Sequence, residues 1–190
     1  MSKRDDILYT ALRLFNENGY HAVGVDRIRD EAQVSKMTLY KYFANKDKLV
    51  EEVLKLRHRM FKESLEGAIS KATTPLEKLR ALLNWHIHWF FSKNFHGCMF
   101  IKATGEFHDT RDFLAVSREH KNWITGLLTT ILKDANVPQP ESCAQLFEIT
   151  IDGMIVNASI FHSFENIQVA WDKLCEAVNL PRLPLDEPTI

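Results

Sequence analysis

Apolar residues recur along this chain at helical spacing, and the breaks between the runs mark where helices start and stop. Ile7, Ala11, Leu14 and Phe15 share one face of a helix expected over residues 5–18, with Gly19 as its stop. Val25, Ile28 and Ala32 stand at i, i+3 and i+7, the buried face of a short second helix. After a break at Gln33 and Val34, Ser35 sits where an N-cap accepts from the amides of the next turn, and Leu39 and Phe43 form the inner face of the helix it opens. Asn45 caps a long helix over residues 46–69. Thr74-Pro75-Leu76-Glu77 combines a cap, a proline at N1 and a capping-box glutamate. The helix it starts carries Leu79, Leu82, Leu83, His86, Ile87, Phe90 and Phe91 and should end near Lys93. A glycine-interrupted segment over 94–109 suggests a short helix between loops, and Thr110 caps a long helix to about residue 135. Pro138 and Pro140 break the chain before a helix over 140–161, and the last helix runs over about 166–178, ahead of Pro181 and Pro184. With no convincing strand and no internal repeat, the expected fold class is all-α.

The helix after Ser35 carries the most informative chemistry. Its outer face presents Lys36, Thr38, Tyr40, Lys41 and Tyr42 and no acid, whereas a solvent face usually mixes both charges. Lysine neutralises phosphate, and tyrosine and threonine donate to phosphate oxygens or pack on thymine methyls. Met37 has no donor, which leaves it apolar contact with a base methyl, and Arg27 on the supporting helix can add a phosphate contact. With Ser35 and with Lys46 at the start of the following helix, these residues form the expected DNA-binding set.

The run VSKMTLYKYFANKDKL resembles the helix-turn-helix signature of the TetR family of bacterial transcriptional repressors. Ile28, Ala32, Val34, Ser35, Thr38, Leu39, Tyr40, Tyr42, Phe43, Asn45, Lys46 and Leu49 match the family pattern at its spacing. The resemblance is at motif strength over roughly residues 5–60 and beyond that rests on length and helical pattern. Three positions depart: Met37 and Arg29 replace smaller residues, and Gln33 replaces the turn glycine. Gln33 must therefore hold a left-handed backbone, at about 1 kcal/mol for a non-glycine residue. The resemblance implies nine helices: a three-helix DNA-binding head over 1–48 and a six-helix ligand-binding and dimerisation domain over 49–190. It also implies a homodimer whose two C-terminal helices form a four-helix interface, placing two reading helices on a palindromic double-stranded operator. A repressor released by a small-molecule effector is the expected function.

Composition narrows this reading. The net charge is −1, but residues 1–50 carry nine Lys/Arg against seven Asp/Glu, a weak bias toward a nucleic-acid partner. The start MSKRDDILYT is charged where a signal peptide needs an apolar core. The most apolar stretch, over 81–101, is broken by His86, His88, Lys93, Asn94 and His96 and is no membrane span. Cys98, Cys143 and Cys175 are odd in number and scattered, which fits a reducing cytoplasm.

In the body, Trp85, His86, Trp89, Phe100, Phe107, Trp123, Leu127, Phe147, Ile151 and Met154 fall on expected inner faces and are the candidate effector-binding residues. Aromatics at helical spacing are more often plain core, so each also reads that way. Ala144, Phe147, Ile151, Gly153, Ile155, Ala158 and Ser159, then Val169, Leu174 and Ala177, are candidates for the dimer seam, where small residues let helices approach; packing within one subunit is the alternative. His86, Glu106 and His120 could form an N/O metal site if their helices pack together, although hydrogen-bonded histidines are the plainer reading, and no metal or cofactor is expected. His108 follows Glu106 closely. Cys98 as a redox sensor is weak, since only Lys102 lies one turn away. The common nucleophile, phosphate-loop, dinucleotide and zinc-protease motifs are absent, which speaks against an enzyme. The rival class is an all-α small-molecule carrier or interaction module that binds no operator.

Overall fold

A computed structural model describes residues 2–107 and 111–188. Its described residues form helices α1 (Lys3–Asn18), α2 (Val25–Glu31), α3 (Lys36–Tyr42), α4 (Lys46–Ile69), α5 (Pro75–Phe90), α6 (Met99–Glu106), α7 (Arg111–Asp134), α8 (Pro140–Phe161) and α9 (Phe164–Ala177), and no strand. The fold is all-α, a helix-turn-helix head followed by a helical body.

The caps explain most boundaries. Ser2 accepts from the Asp5 amide at 3.2 Å while Asp5 accepts from the Ser2 amide at 3.1 Å, so α1 starts at Lys3, two residues before the expected start at residue 5. Asn45 Oδ1 accepts from the Lys48 amide at 2.8 Å at the head of α4. Thr74 and Glu77 close the expected capping box around Pro75, and α5 ends at Phe90, one turn before Lys93. Ser163 caps α9, which therefore begins at Phe164 rather than near Asn166. Thr110 and His108 lie outside the described residues.

Packing divides the chain into two units that interleave in sequence. The first comprises Met1–Phe61 and Cys98–His120. Its core is built on the apolar faces of the first four helices, with Ile7, Ala11, Leu14, Phe15, Ile28, Leu39, Phe43, Leu49 and Val53 all buried. Arg4 braces this head: its guanidinium pairs with Glu52 at 2.7 Å and lies over the Phe43 ring at 5.5 Å.

The second unit comprises Lys62–Gly97 and Lys121–Ile190. Here α8 and α9 pack along their length, with Phe147 edge-on to the fully buried Trp171 at 5.5 Å. Residues 180–188 form an extended strap. Trp171 Nε1 donates to the Leu183 carbonyl at 3.0 Å, and Arg80 Nε to the Pro184 carbonyl at 2.7 Å. Asn84 donates to Asp186 at 2.6 Å and accepts from the Asp186 amide at 3.0 Å, so α5 and α9 are tied to the same segment.

Candidate nucleic-acid interface and effector face

Three consecutive devices set up α3. Gln33 adopts φ +52°, the left-handed conformation that the turn requires. Its amide donates to the Asp30 carbonyl and the Val34 amide to the Arg29 carbonyl, both at 3.2 Å, which closes the end of α2. Ser35 then accepts from the Thr38 amide at 3.0 Å, and the two hydroxyls share a hydrogen bond of 2.8 Å. With Leu39 and Phe43 turned inward, the opposite face is left to solvent: Met37 is 81% exposed, and Lys36, Tyr40, Lys41 and Tyr42 are exposed with it. Among the described residues no carboxylate pairs with Lys36 or Lys41, so both ammonium groups stand ready for an anion.

Two candidates are held differently from what their positions suggest. Arg27 Nε donates to Glu31 at 2.9 Å, and Arg13 pairs with the same carboxylate, so a phosphate must draw on the remaining Arg27 donors. Lys46 is half-buried; burial lowers its pKa, and the Glu106 carboxylate opposes that shift. Arg29 is paired with Asp26 and Asp30, both at 2.7 Å, and is directed away from an anion-binding role.

The effector candidates fall into both units. Phe100 and Phe107 belong to the first. Phe100 stacks on the His120 ring at 3.8 Å, and Phe107 packs against Tyr20, His21 and Phe113. Trp85, His86, Trp89, Trp123, Leu127, Phe147, Ile151 and Met154 belong to the second. On α5, Trp85, His86 and Trp89 form one aromatic cluster, extended by Phe90 and by Phe95, edge-on to Trp89 at 5.2 Å. Trp85 Nε1 donates to Ser64 at 2.9 Å, and the Lys62 ammonium lies 5.9 Å over the Trp123 ring. His86 is fully buried, and burial pushes its pKa down to about 4. Its Nδ1 donates to the Leu82 carbonyl at 2.8 Å, so Nε2 of the neutral ring is an acceptor. Between α7 and α8, Lys121 pairs with Glu148 at 3.1 Å and with Asp152, while burial raises the Glu148 pKa. Phe147 and Ile151 are core residues of the α8–α9 pair, and Met154 borders a cleft of about 220 Å³ between those helices, beside Gly153, Asn157 and Ile167.

Glu106 is engaged by the backbone of the α1–α2 turn. Its carboxylate accepts the backbone amides of Tyr20 and His21, and among the described residues no three His, Cys, Asp or Glu side chains gather as a metal group. His120 is committed to Phe100 and to His58, whose Nδ1 lies 3.1 Å from its own. Cys98 is 6% exposed, which denies an oxidant the access a sensor thiol needs, and burial pushes the Cys175 thiol up to about 11. Arg4, Lys102 and Glu106 organise the head yet were not visible as such in sequence, because their partners are remote along the chain. No described helix is long and apolar enough to cross a membrane.

Residues 7–53 match the family profile of bacterial regulatory proteins of the tetR family. The fatty acid metabolism regulator protein of Bacillus subtilis (strain 168) is 34% identical over 80 residues, which are 42% of this chain and 41% of that protein. A helix-turn-helix transcriptional repressor of Mycolicibacterium smegmatis, KstR2, is 39% identical over 85 residues, 43% of this chain and 40% of its own. The chain therefore matches about two fifths of the length of these curated relatives. Similarity of fold extends further. A TetR-family transcriptional regulator from Streptomyces coelicolor superimposes with a TM-score of 0.81 at 25% identity, over 93% of this chain and 92% of that one. The reduced form of NemR from E. coli superimposes with a TM-score of 0.83 at 20% identity, over 96% and 99%. Residues 7–53 are thus a helix-turn-helix domain of the TetR type, and the chain shares its fold almost throughout with a TetR-family transcriptional regulator.

Proposed function

We propose that the chain is a homodimeric, cytoplasmic transcriptional regulator that binds a palindromic duplex operator and is released from it by a small apolar or aromatic molecule. In this reading residues 1–48 contact DNA and residues 49–190 bind the effector and dimerise. The observation that carries it is the acid-free outer face of α3, with two ammonium groups that pair with no carboxylate among the described residues, two phenols and an exposed methionine on one short helix. Lys36 and Lys41 meet phosphates, Ser35, Thr38, Tyr40 and Tyr42 donate to phosphate oxygens, and Met37 packs against a base methyl. Arg27 and Lys46 contribute at the margins, each in competition with a carboxylate. The aromatic cluster on α5, with Trp123 and Leu127, supports an apolar effector face. An effector that emptied a nearly full operator would need about 5 kcal/mol of differential affinity between the two states.

Duplex enriched from a random pool by the wild-type protein provides the test. Lys36→Ala and Lys41→Ala should each weaken binding by about 1–2 kcal/mol and lower the salt slope by about one counterion. Affinity that does not fall with salt, or alanine variants that bind as wild type, would favour the carrier reading. A second measurement concerns the effector. A screen of aromatic and aliphatic compounds should find one that raises the melting temperature and releases the duplex, and Trp85→Ala or Trp89→Ala should blunt both effects.

A further inference from the structure

Both ends of α6 grip the turn between α1 and α2, within the first unit. The Glu106 carboxylate accepts the Tyr20 amide at 2.9 Å and the His21 amide at 2.6 Å, and the His21 ring Nε2 donates to the Glu106 carbonyl at 2.8 Å. One turn earlier, the Lys102 ammonium donates to the Asn16 carbonyl at 2.8 Å. The last turn of α1 has no basic residue of its own, so α6 supplies the cation that its C-terminal carbonyls favour. At the start of α6, the Tyr20 phenol donates to the Met99 carbonyl at 2.9 Å, and burial raises its pKa so that it keeps that proton. The Phe107 ring closes over Tyr20 at 5.5 Å and His21 at 4.7 Å.

The turn is shaped to receive this carboxylate. Gly19 has φ +82°, and a Cβ at that position would stand 2.8 Å from Glu106 Oε1. Downstream, α2 spans Val25–Glu31, too short to be stable alone, and its N-cap Gly24 provides no side-chain cap bond. The setting of α2, against which the reading helix packs, therefore depends on what holds residues 19–24. Charge-assisted bonds from one carboxylate to two successive amides are the strongest local restraint there.

We propose that Glu106, assisted by Lys102, is a positioning residue for DNA binding: α6 braces the α1–α2 turn from outside the helix-turn-helix and so fixes α2 and α3 in their DNA-reading arrangement. This rests on the DNA-binding reading above. It assigns to a residue of the body, more than fifty positions beyond the motif, control over sequence-specific affinity without any contact to DNA.

The test compares wild type, Glu106→Ala, Glu106→Gln and Gly19→Ala in the full chain, with two readouts. The first is affinity for the duplex enriched by wild type and for a scrambled duplex of equal length. Glu106→Ala should lose about tenfold or more on the enriched duplex, the usual scale for charge-assisted bonds, while scrambled duplex is not weakened, because Lys36 and Lys41 are untouched and loss of the Glu106 carboxylate only frees Lys46 for phosphate. Glu106→Gln has the same shape but one carbonyl oxygen for two amides and should fall between; it also serves if the alanine variant folds poorly. Gly19→Ala should mimic Glu106→Ala, and its effect should shrink in the Glu106→Ala background, where the clash is gone. The second readout is amide exchange, which should accelerate at Tyr20 and His21 in both Glu106 variants while Leu39 keeps its protection. Unchanged exchange at Tyr20 and His21, or an equal loss on enriched and scrambled duplex, would overturn the proposal. If wild type enriches no duplex, the DNA-binding reading falls, and the exchange measurement alone still decides whether Glu106 holds the turn.

Discussion

Replacing Ile149 and Ile160 together by glutamate is expected to yield a folded monomer that no longer retains a palindromic duplex. The two residues lie on one stripe of α8 with Leu146, Gly153 and Val156, and each is 65% exposed in the single chain. Phe161 and Val169 are also more than half exposed, and solvated protomers rarely leave so many large apolar side chains open to water. Because these side chains touch little within the protomer, glutamate there should change its folding stability by only about 0.5 kcal/mol. In a two-fold interface each change is repeated, so four uncompensated carboxylates would be buried, at several kcal/mol in total. One half-site alone then supplies too few phosphate contacts for tight binding. Light scattering at micromolar concentration, a melting curve and a gel shift report the three outcomes; a dimer that persists in the double variant would refute the assignment. Ala158, a candidate either for the seam or for packing within one subunit, is only 1% exposed. It shares the inward face with Phe147, Ile151, Met154 and Ile155, so a charge there should unfold the protomer rather than separate two of them.

The second large effect is a dependence of stability on pH traced to His86. Its pKa is about 4 in the folded protein, because a fully buried imidazole cannot be hydrated as a cation, against an ordinary value of about 6.5. Between those values the unfolded chain takes up a proton that the folded chain refuses, so stability rises with pH across this window. The contribution is complete above about pH 6.5 and is lost as pH falls toward 4, by up to roughly 3 kcal/mol for a shift of this size. Denaturant titrations of wild type and His86→Phe at several pH values between 4.5 and 7.5 should diverge in slope, with the variant the flatter. Parallel pH profiles would mean that His86 does not titrate as its burial demands.

Much of the fold could be read in one dimension, because caps and apolar faces are local signals. The bounds of α4 and α8, the capping box at Thr74 and Glu77, the left-handed Gln33 and the division of α3 into inner and outer faces all follow from neighbours within about four residues. What could not be read is which faces meet. Glu106 looked like a metal-ligand candidate beside histidines, since nothing near it in sequence announces two backbone amides 85 and 86 residues away that claim its oxygens. Phe100 stacks on His120 for a reason equally hidden in sequence: helical period gives a buried side but not the partner that buries it. The brace from Arg4 to Glu52 and Phe43 had no sequence signal beyond a cation near the start of a helix.

The strap over residues 180–188 has a consequence for the order of assembly. Asn84 and Asp186 complete each other's hydrogen bonding across a separation of 102 residues, and Arg80 is satisfied from the same segment. While the polypeptide emerges from the ribosome, at about 5–20 residues per second, α5 must wait several seconds for these partners. Closing so long a loop also carries an entropic cost that local helix formation does not. A translational pause between α5 and the strap would therefore prolong the interval in which α5 is exposed to chaperones and proteases, whereas the head, built largely from contiguous helices, can already have closed.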